Sequence, residues 1–313
     1  MNKLIVSYAP HIRTDRTTKS LMLDVIIALM PALLAGVWWF GLPALLMVMT
    51  CVVSCVAFEY AWTKIFKMET TIGDLSAVIT GILLAFNLPV SAPLWIGVVG
   101  SLFAIVIVKM CFGGLGHNFV NPALAARAFL LVCWPVAMTK WTAPKFVMSF
   151  STDAVTTATP LGMLKETGTY GASYFDLFIG NVGGCIGEVC AAALLIGFVY
   201  LLIRRVITWH IPVIYTAVVF ILATLLGKDG LYYILSGGLL LGAIFMATDY
   251  TTSPMSIRGQ IIYAIGLGIF TVIIRVYGSL PEGVSYSILL MNIITPLIDK
   301  FTKNRRYGGK AHV

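Results

Sequence analysis

Charge is scarce in this sequence. Asp, Glu, Lys and Arg supply 11% of its 313 residues, where a soluble domain carries roughly 25%. Hydrophobic residues make up 59%, against roughly 45–50% in a soluble domain. One water-soluble core cannot hide that surplus, and lipid is the solvent that resolves it. Paired cysteines are missing too. Cys51, Cys55, Cys111, Cys133, Cys185 and Cys190 form no CxxC framework, which excludes an iron–sulfur or structural zinc scaffold within the chain. Cys51 and Cys55 are four apart and share a helix face, where cysteine packs as a small apolar residue. No glycine-rich dinucleotide fingerprint is present, so NAD chemistry is not expected here. No small-residue cleavage site closes the first apolar run, which is therefore read as a retained helix.

What is present is a series of long apolar runs. A spanning helix needs about 20 mostly apolar residues. Ten runs qualify, at 20–40, 43–61, 73–88, 94–112, 122–139, 183–203, 208–226, 230–248, 258–278 and 283–301. The expected fold is an all-α polytopic membrane protein of about ten transmembrane helices, which the lipid bilayer surrounds. Glycine and proline turns punctuate the runs. The third and fifth are marginal in length, which leaves nine as the alternative.

The basic residues choose between the counts. With ten spans and the N-terminus inside, the inside segments hold Lys3, Arg13, Arg16, Lys19, Lys64, Lys67, Lys109, Arg204, Arg205 and Arg258. The C-terminal tail adds Lys300, Lys303, Arg305, Arg306 and Lys310. Outside lie only Lys140, Lys145, Lys165 and Lys228, while Arg127 and Arg275 fall within spans. That asymmetry follows the positive-inside rule, and losing one span would spoil it. The formal net charge of +8 thus reads as cytoplasmic loops against anionic lipid, with no nucleic-acid face. Both termini are expected in the cytoplasm and the long loop outside it.

That loop divides the chain into 1–139, 140–182 and 183–313. Five spans precede it and five follow, which inverts the second half in the membrane. The halves share a rhythm: spans three and eight end in Asn87…Pro93 and Asp249…Pro254, and spans four and nine end in Lys109 and Arg275 beside glycine turns. Two inverted five-helix repeats are the expected arrangement, and such repeats commonly enclose a site near the bilayer midplane.

Three polar strips interrupt the apolar frame. Gly113-Gly-Leu-Gly-His117 runs into Asn118 and Asn121-Pro122. Asn121 suits a helix N-cap and Pro122 the first helical position. The strip is either a plain capped turn or a place where two amides meet a polar ring edge or an anion. Arg127, two turns on, should face a partner or a cavity and is a further candidate for cofactor binding. The second strip, Asp153-Ala-Val-Thr156-Thr157-Ala158-Thr159-Pro160-Leu161, is rich in hydroxyls and reads on composition alone as a solvated loop. The third, Gly183-Gly184-Cys-Ile-Gly187-Glu188, places an acid inside an apolar run. Glu188 and Asp249 are candidates for ion handling, while Asp24, Glu59, Asp74 and Asp249 itself sit near helix ends where they can reach the interface. No side chain stands out as a catalytic acid, base, nucleophile or metal ligand.

These strips in this order, with Ala247-Thr-Asp249-Tyr-Thr-Thr-Ser-Pro254 and Pro281-Glu-Gly283…Asn292, resemble the RnfD family, membrane subunits of the Rnf ion-translocating electron-transport complex. The related NqrB family of the sodium-pumping NADH:quinone reductase is similar but carries a longer N-terminal extension. The resemblance covers nearly the whole chain. It implies an FMN joined as a phosphoester to a threonine outside the cytoplasm, installed by a flavin transferase. The family's attachment strip usually reads Ser-Gly-Ala-Thr with the last residue modified. Its counterpart here is Thr156-Thr157-Ala158-Thr159, which implies Thr159 as the attachment point, with Thr156 and Thr157 as further candidates. By resemblance to the quinone-reductase family, Asn118 and Asn121 are expected to hold a second, non-covalent riboflavin. The implied partners are Rnf subunits A, B, C, E and G, and the implied place is the inner (cytoplasmic) membrane of a bacterium. The implied role is electron relay between ferredoxin and NAD coupled to Na+ or H+ movement. The rival readings are a quinone-reductase subunit and a flavin-free channel or secondary transporter.

Overall fold

A computed structural model of the protein describes residues 16–144, 156–278 and 283–302. Lys3, Arg13, Lys145, residues 153–155 of the hydroxyl strip, Pro281, Glu282 and the tail from Lys303 lie outside the described residues.

Each apolar run contains helix, though not over its whole length. The first half comprises α1 (Thr18–Phe40), α2 (Leu42–Ile65), α3 (Ser76–Phe86), α4 (Leu94–Leu102), α5 (Pro122–Cys133) and the short α6 (Pro135–Met138). From Phe103 to Lys109 the fourth run continues as a π-helix, then as a 3-10 turn to Phe112. The loop region holds a two-residue antiparallel ladder of β1 (Trp141–Thr142) with β2 (Thr156–Thr157), then α7 (Pro160–Thr167) and α8 (Tyr174–Ile179). The second half comprises α9 (Ala191–Ile203), α10 (His210–Leu225), α11 (Gly230–Leu235), α12 (Leu239–Leu241) with a π-helix to Met246, α13 (Ile257–Tyr277) and α14 (Val284–Phe301).

Every expected span coincides with helix, but only five helices among the described residues are long and apolar enough to cross a membrane unaided. The exceptions have local causes. The third run narrows to eleven residues, because Leu75 takes a left-handed conformation ahead of it. The fifth breaks where Trp134 precedes Pro135, as a residue before proline is pushed out of the α region. The sixth begins at Ala191. Its expected first turns, 183–190, form a non-helical strap that pairs with the end of α3: Pro89 bridges Cys185, and the Ile186 and Gly187 N–H groups donate to the Leu88 and Phe86 carbonyls. Glu188 therefore sits in a strap, where the sequence places it inside a helix. The eighth run breaks at Ser236-Gly237-Gly238, both glycines being left-handed.

The breaks correspond between the halves. In each, a short element, a left-handed residue and a second helix make up the third span: 72–74, Leu75 and α3, then α11, Gly237-Gly238 and α12. Each second span ends alike, with Lys67 or Gly227 left-handed and the next N–H bonded back to Thr63 or Ala223. The core lies where α3, α5 and the α12 segment meet, with Phe86, Leu124 and Ala243 fully buried.

Candidate functional site

Two polar sites flank this meeting point. The first is a cavity of about 110 Å³. α1 contributes Leu21 and Val25, α3 contributes Ile79, Thr80 and Leu83, and the strip before α5 contributes Asn118 and Asn121. Opposite them stand Phe245, Thr248 and Asp249. Asn121 is the N-cap of α5, accepting from the Ala123 and Leu124 N–H groups at 3.1 and 3.3 Å. Its amide donates onward to the Met246 carbonyl, so one side chain both caps its helix and ties the two halves. Asn118 donates to the Val120 carbonyl at 3.1 Å and its side chain also meets Asp249. Asp249 accepts from the Thr252 hydroxyl at 3.2 Å. The sequence strip is thus a capped turn and a cavity wall at once.

Lys109 closes one end of that wall. The π-helical stretch carries it inward, where its ammonium donates to Glu59 at 2.7 Å and to the Ser76 hydroxyl at 2.6 Å. Thr71 donates to the other Glu59 oxygen at 2.5 Å. Both charges are buried. Lys109 is therefore no loop cation, and Glu59 does not reach an interface, contrary to the sequence expectation. An acid in α2 fifty residues from a base at a span end leaves no local spacing signal.

Arg127 turns away from the cavity. It donates to the Asn87 side-chain oxygen at 2.9 Å and approaches the Cys185 sulfur at 3.6 Å, which supplies the partner that a buried guanidinium requires. Cys185 in turn presents its N–H to Glu188 at 3.0 Å. Glu188 is wedged between Gly184 and Gly238, where any added Cβ would collide with its carboxylate. Beyond Gly238, Arg275 donates to the carbonyls of Tyr233, Ser236 and Gly237. It thereby holds the C-terminal end of α11, where free carbonyls favour a cation.

The second site is Thr159. It is the N-cap of α7, with its hydroxyl accepting from the Gly162 N–H at 3.1 Å. α7 is pinned to the second half: Tyr232 donates to the Pro160 carbonyl at 3.3 Å, and the buried Leu161 lies against Gly237. Thr157 lies in β2 opposite Trp141, its hydroxyl buried and without a partner among the described residues. Thr156 is the other β2 residue. Among these threonines, Thr159 alone stands at a helix N-terminus. A phosphate carried on its oxygen would meet the positive end of the helix dipole, beside the Leu161 and Gly162 N–H groups of the first turn. A Cβ at position 162 would approach the Thr159 oxygen to 3.0 Å, so glycine keeps that oxygen uncrowded. The chemistry of these residues suits a phosphoester, and the burial of Thr159 requires the loop to open around it.

The cavity is a different case. Its apolar walls with amide, hydroxyl and carboxylate groups suit the chemistry of a flavin ring, yet its volume falls short of the roughly 300 Å³ at which small-molecule pockets begin. A riboflavin would require its walls to part.

The sequence is similar over almost its whole length to several bacterial proteins. It is 58% identical over 309 residues to the D subunit of the Na(+)-translocating ferredoxin:NAD(+) oxidoreductase complex of Acetobacterium woodii, covering 97% of this chain and 95% of the relative. It is 44% identical over 325 residues to the D subunit of the proton-translocating ferredoxin:NAD(+) oxidoreductase complex of Clostridium ljungdahlii, covering 99% and 97%. The D subunit of the ion-translocating oxidoreductase complex of Halorhodospira halophila is 37% identical over 344 residues, covering 98% and 96%. The family model described as NQR2, RnfD, RnfE matches residues 5–308. This chain, with its ten apolar runs, paired helix breaks and threonine-capped loop helix, belongs to the NQR2, RnfD and RnfE family.

Proposed function

We propose that this chain is the membrane flavoprotein subunit of an Rnf-type complex, which passes electrons between ferredoxin and NAD while Na+ or H+ crosses the membrane. Family membership supports this reading, as do the ferredoxin:NAD(+) oxidoreductase names of relatives at 58% and 44% identity. The flavin assignment is carried by one observation: Thr159 is a helix N-cap whose hydroxyl faces the first turn of α7. An FMN esterified there supplies a redox carrier fixed to the chain, and the protein supplies its position and electrostatics. Thr159 holds the phosphate, the α7 N-terminus neutralises part of its charge, and Tyr232 fixes the helix to the membrane domain. Thr159 is only 5% exposed, so the flavin transferase must act before the loop closes.

A second, non-covalent flavin fits the chemistry of the Asn118 and Asn121 cavity. The NAD and iron–sulfur chemistry belongs to the partners, Rnf subunits A, B, C, E and G. Both termini lie in the cytoplasm of a bacterial cell and the 140–182 loop lies outside the inner membrane, as the basic residues and the maturation step require. The paired breaks of the third and eighth spans support two inverted halves. Glu188 and Asp249, each beside a break or its end, are the carboxylates placed to meet a translocated ion.

Thr159→Ala tests the assignment. In the purified complex, the denatured chain should lose its in-gel ultraviolet fluorescence and the mass of one FMN phosphoester, yet remain inserted. Flavin mass retained on the variant moves the site to Thr156 or Thr157. A wild-type chain without any flavin band overturns the reading in favour of a transporter. Quinone-dependent activity of the purified complex instead favours the quinone-reductase family.

A further inference from the structure

We propose that Arg127 is a fixed positive plug that keeps the chain closed to cations between the cavity and the Thr159 side. This rests on the reading that a translocated ion meets Asp249 and Glu188 within this chain.

A helix that ends inside a membrane protein leaves carbonyls unsatisfied, and its C-terminus carries partial negative charge. In transporters with broken helices such ends coordinate the translocated cation. α3 ends this way at Phe86, but its seat is filled by the protein itself. The Leu83 carbonyl accepts from the Asn87 amide at 2.7 Å. The Phe86 and Leu88 carbonyls accept from the Gly187 and Ile186 N–H groups at 3.1 and 3.3 Å, and the Asn87 carbonyl accepts from the Cys185 thiol at 3.4 Å. The strap lies so close that a Cβ at Gly187 would enter the Phe86 ring. Across this closed end lies the Arg127 guanidinium, bonded to Asn87 and touching Cys185. It sits six residues beyond Asn121, roughly 9 Å along α5, past the cavity. Glu188, bonded to the Cys185 N–H, follows on the far side.

Arginine suits this role because it cannot lose its proton within a protein. A lysine or histidine could discharge and open the barrier, whereas a guanidinium opposes a passing cation at every pH. Fixed arginines exclude cations from other pores by the same means. Anchored to the side chain that caps α3 and to the strap from the second half, Arg127 moves only when those two segments move relative to each other. Ion passage is thereby made conditional on a rearrangement between the halves.

The test is passive leak. The intact complex is reconstituted into liposomes without electron donor, and ²²Na⁺ uptake and dye-reported H⁺ entry are followed under an imposed potential. The wild type should be tight, Arg127→Gln should leak at least about tenfold faster, and Arg127→Lys should stay tight at neutral pH. Should Arg127→Gln fail to assemble, Arg127→Gln with Glu188→Gln removes the guanidinium together with the half-buried carboxylate beyond Cys185, which leaves neither charge without its counterpart, and it should leak as well. A tight Arg127→Gln complex in which Asp249→Asn still lowers coupled transport overturns the plug and leaves the path in place. Wild-type coupled transport in Arg127→Gln, Asp249→Asn and Glu188→Gln alike removes the path itself. Equal leak from the Lys and Gln variants overturns the charge argument in favour of packing alone.

Discussion

Removing one member of the Glu59–Lys109 pair should destabilise the cavity wall far more than removing both. Glu59 is fully buried and Lys109 is 3% exposed. In Lys109→Met the carboxylate keeps, among the described residues, only the Thr71 hydroxyl, and one unpaired buried charge costs about 3–5 kcal/mol. Glu59→Gln should fall at the lower end of that range, because its amide oxygen still accepts from the ammonium and Ser76 remains in reach. The double variant Glu59→Met with Lys109→Met should come within about 1 kcal/mol of the wild type, since apolar replacement of a buried pair is often neutral or better. The assay is reversible unfolding in mixed micelles of rising denaturing-detergent fraction, with the coupling taken from the full double-mutant cycle. A loss of about 3 kcal/mol raises the unfolded population roughly a hundredfold, well within such a measurement. Single variants that each lose less than about 1 kcal/mol would refute the reasoning, because that is the size of a hydrated surface pair.

Two further outcomes can be measured directly. Glu188→Gln should reduce the ions moved per electron in reconstituted complex several-fold while leaving flavin fluorescence on the chain intact, and unchanged pumping would assign Glu188 to packing alone. In the loop, the Ser173 hydroxyl and the Asn181 amide hold the Asp176 carboxyl below its ordinary range. A depressed folded value means that the support Asp176 gives α8 is complete above about pH 3.9 and is lost as pH falls through that lower value. The protection factors of residues 174–179, corrected for the intrinsic pH dependence of amide exchange, should therefore fall in acid in the wild type and lose that dependence in Asp176→Asn.

Much of this architecture was legible because lipid imposes simple rules on sequence. Apolar length located the runs and the Asn121-Pro122 cap was readable as local chemistry, whereas the helix that starts at Thr159-Pro160 was hidden in a strip whose composition reads as a solvated loop. Length alone could not show that the third, sixth and eighth runs are interrupted. The signals were present as Gly183-Gly184 with Gly187, and as Gly237-Gly238, but an apolar strap and an apolar helix have the same hydropathy. The long-range partners were out of reach for another reason. Lys109 with Glu59, and Arg127 with Asn87 and Cys185, join residues forty to fifty-eight positions apart, and only the packing of spans brings them together. Counting Lys109 as a loop cation was wrong in place, because a π-helical turn carries it inward to Glu59.

The brevity of α3 bears on how the chain is made. Eleven residues rise only about 16 Å, half of a hydrocarbon core of roughly 30 Å, so this segment has little means of entering the bilayer as an independent unit. Its frayed end is closed by N–H groups of Ile186 and Gly187, which the ribosome adds about a hundred codons later. Until then those carbonyls must shelter against lipid headgroups, a chaperone or the translocation machinery. The nascent first half is thus committed to wait for the second, and a truncation after residue 139 should be recognised by membrane quality control as unfinished.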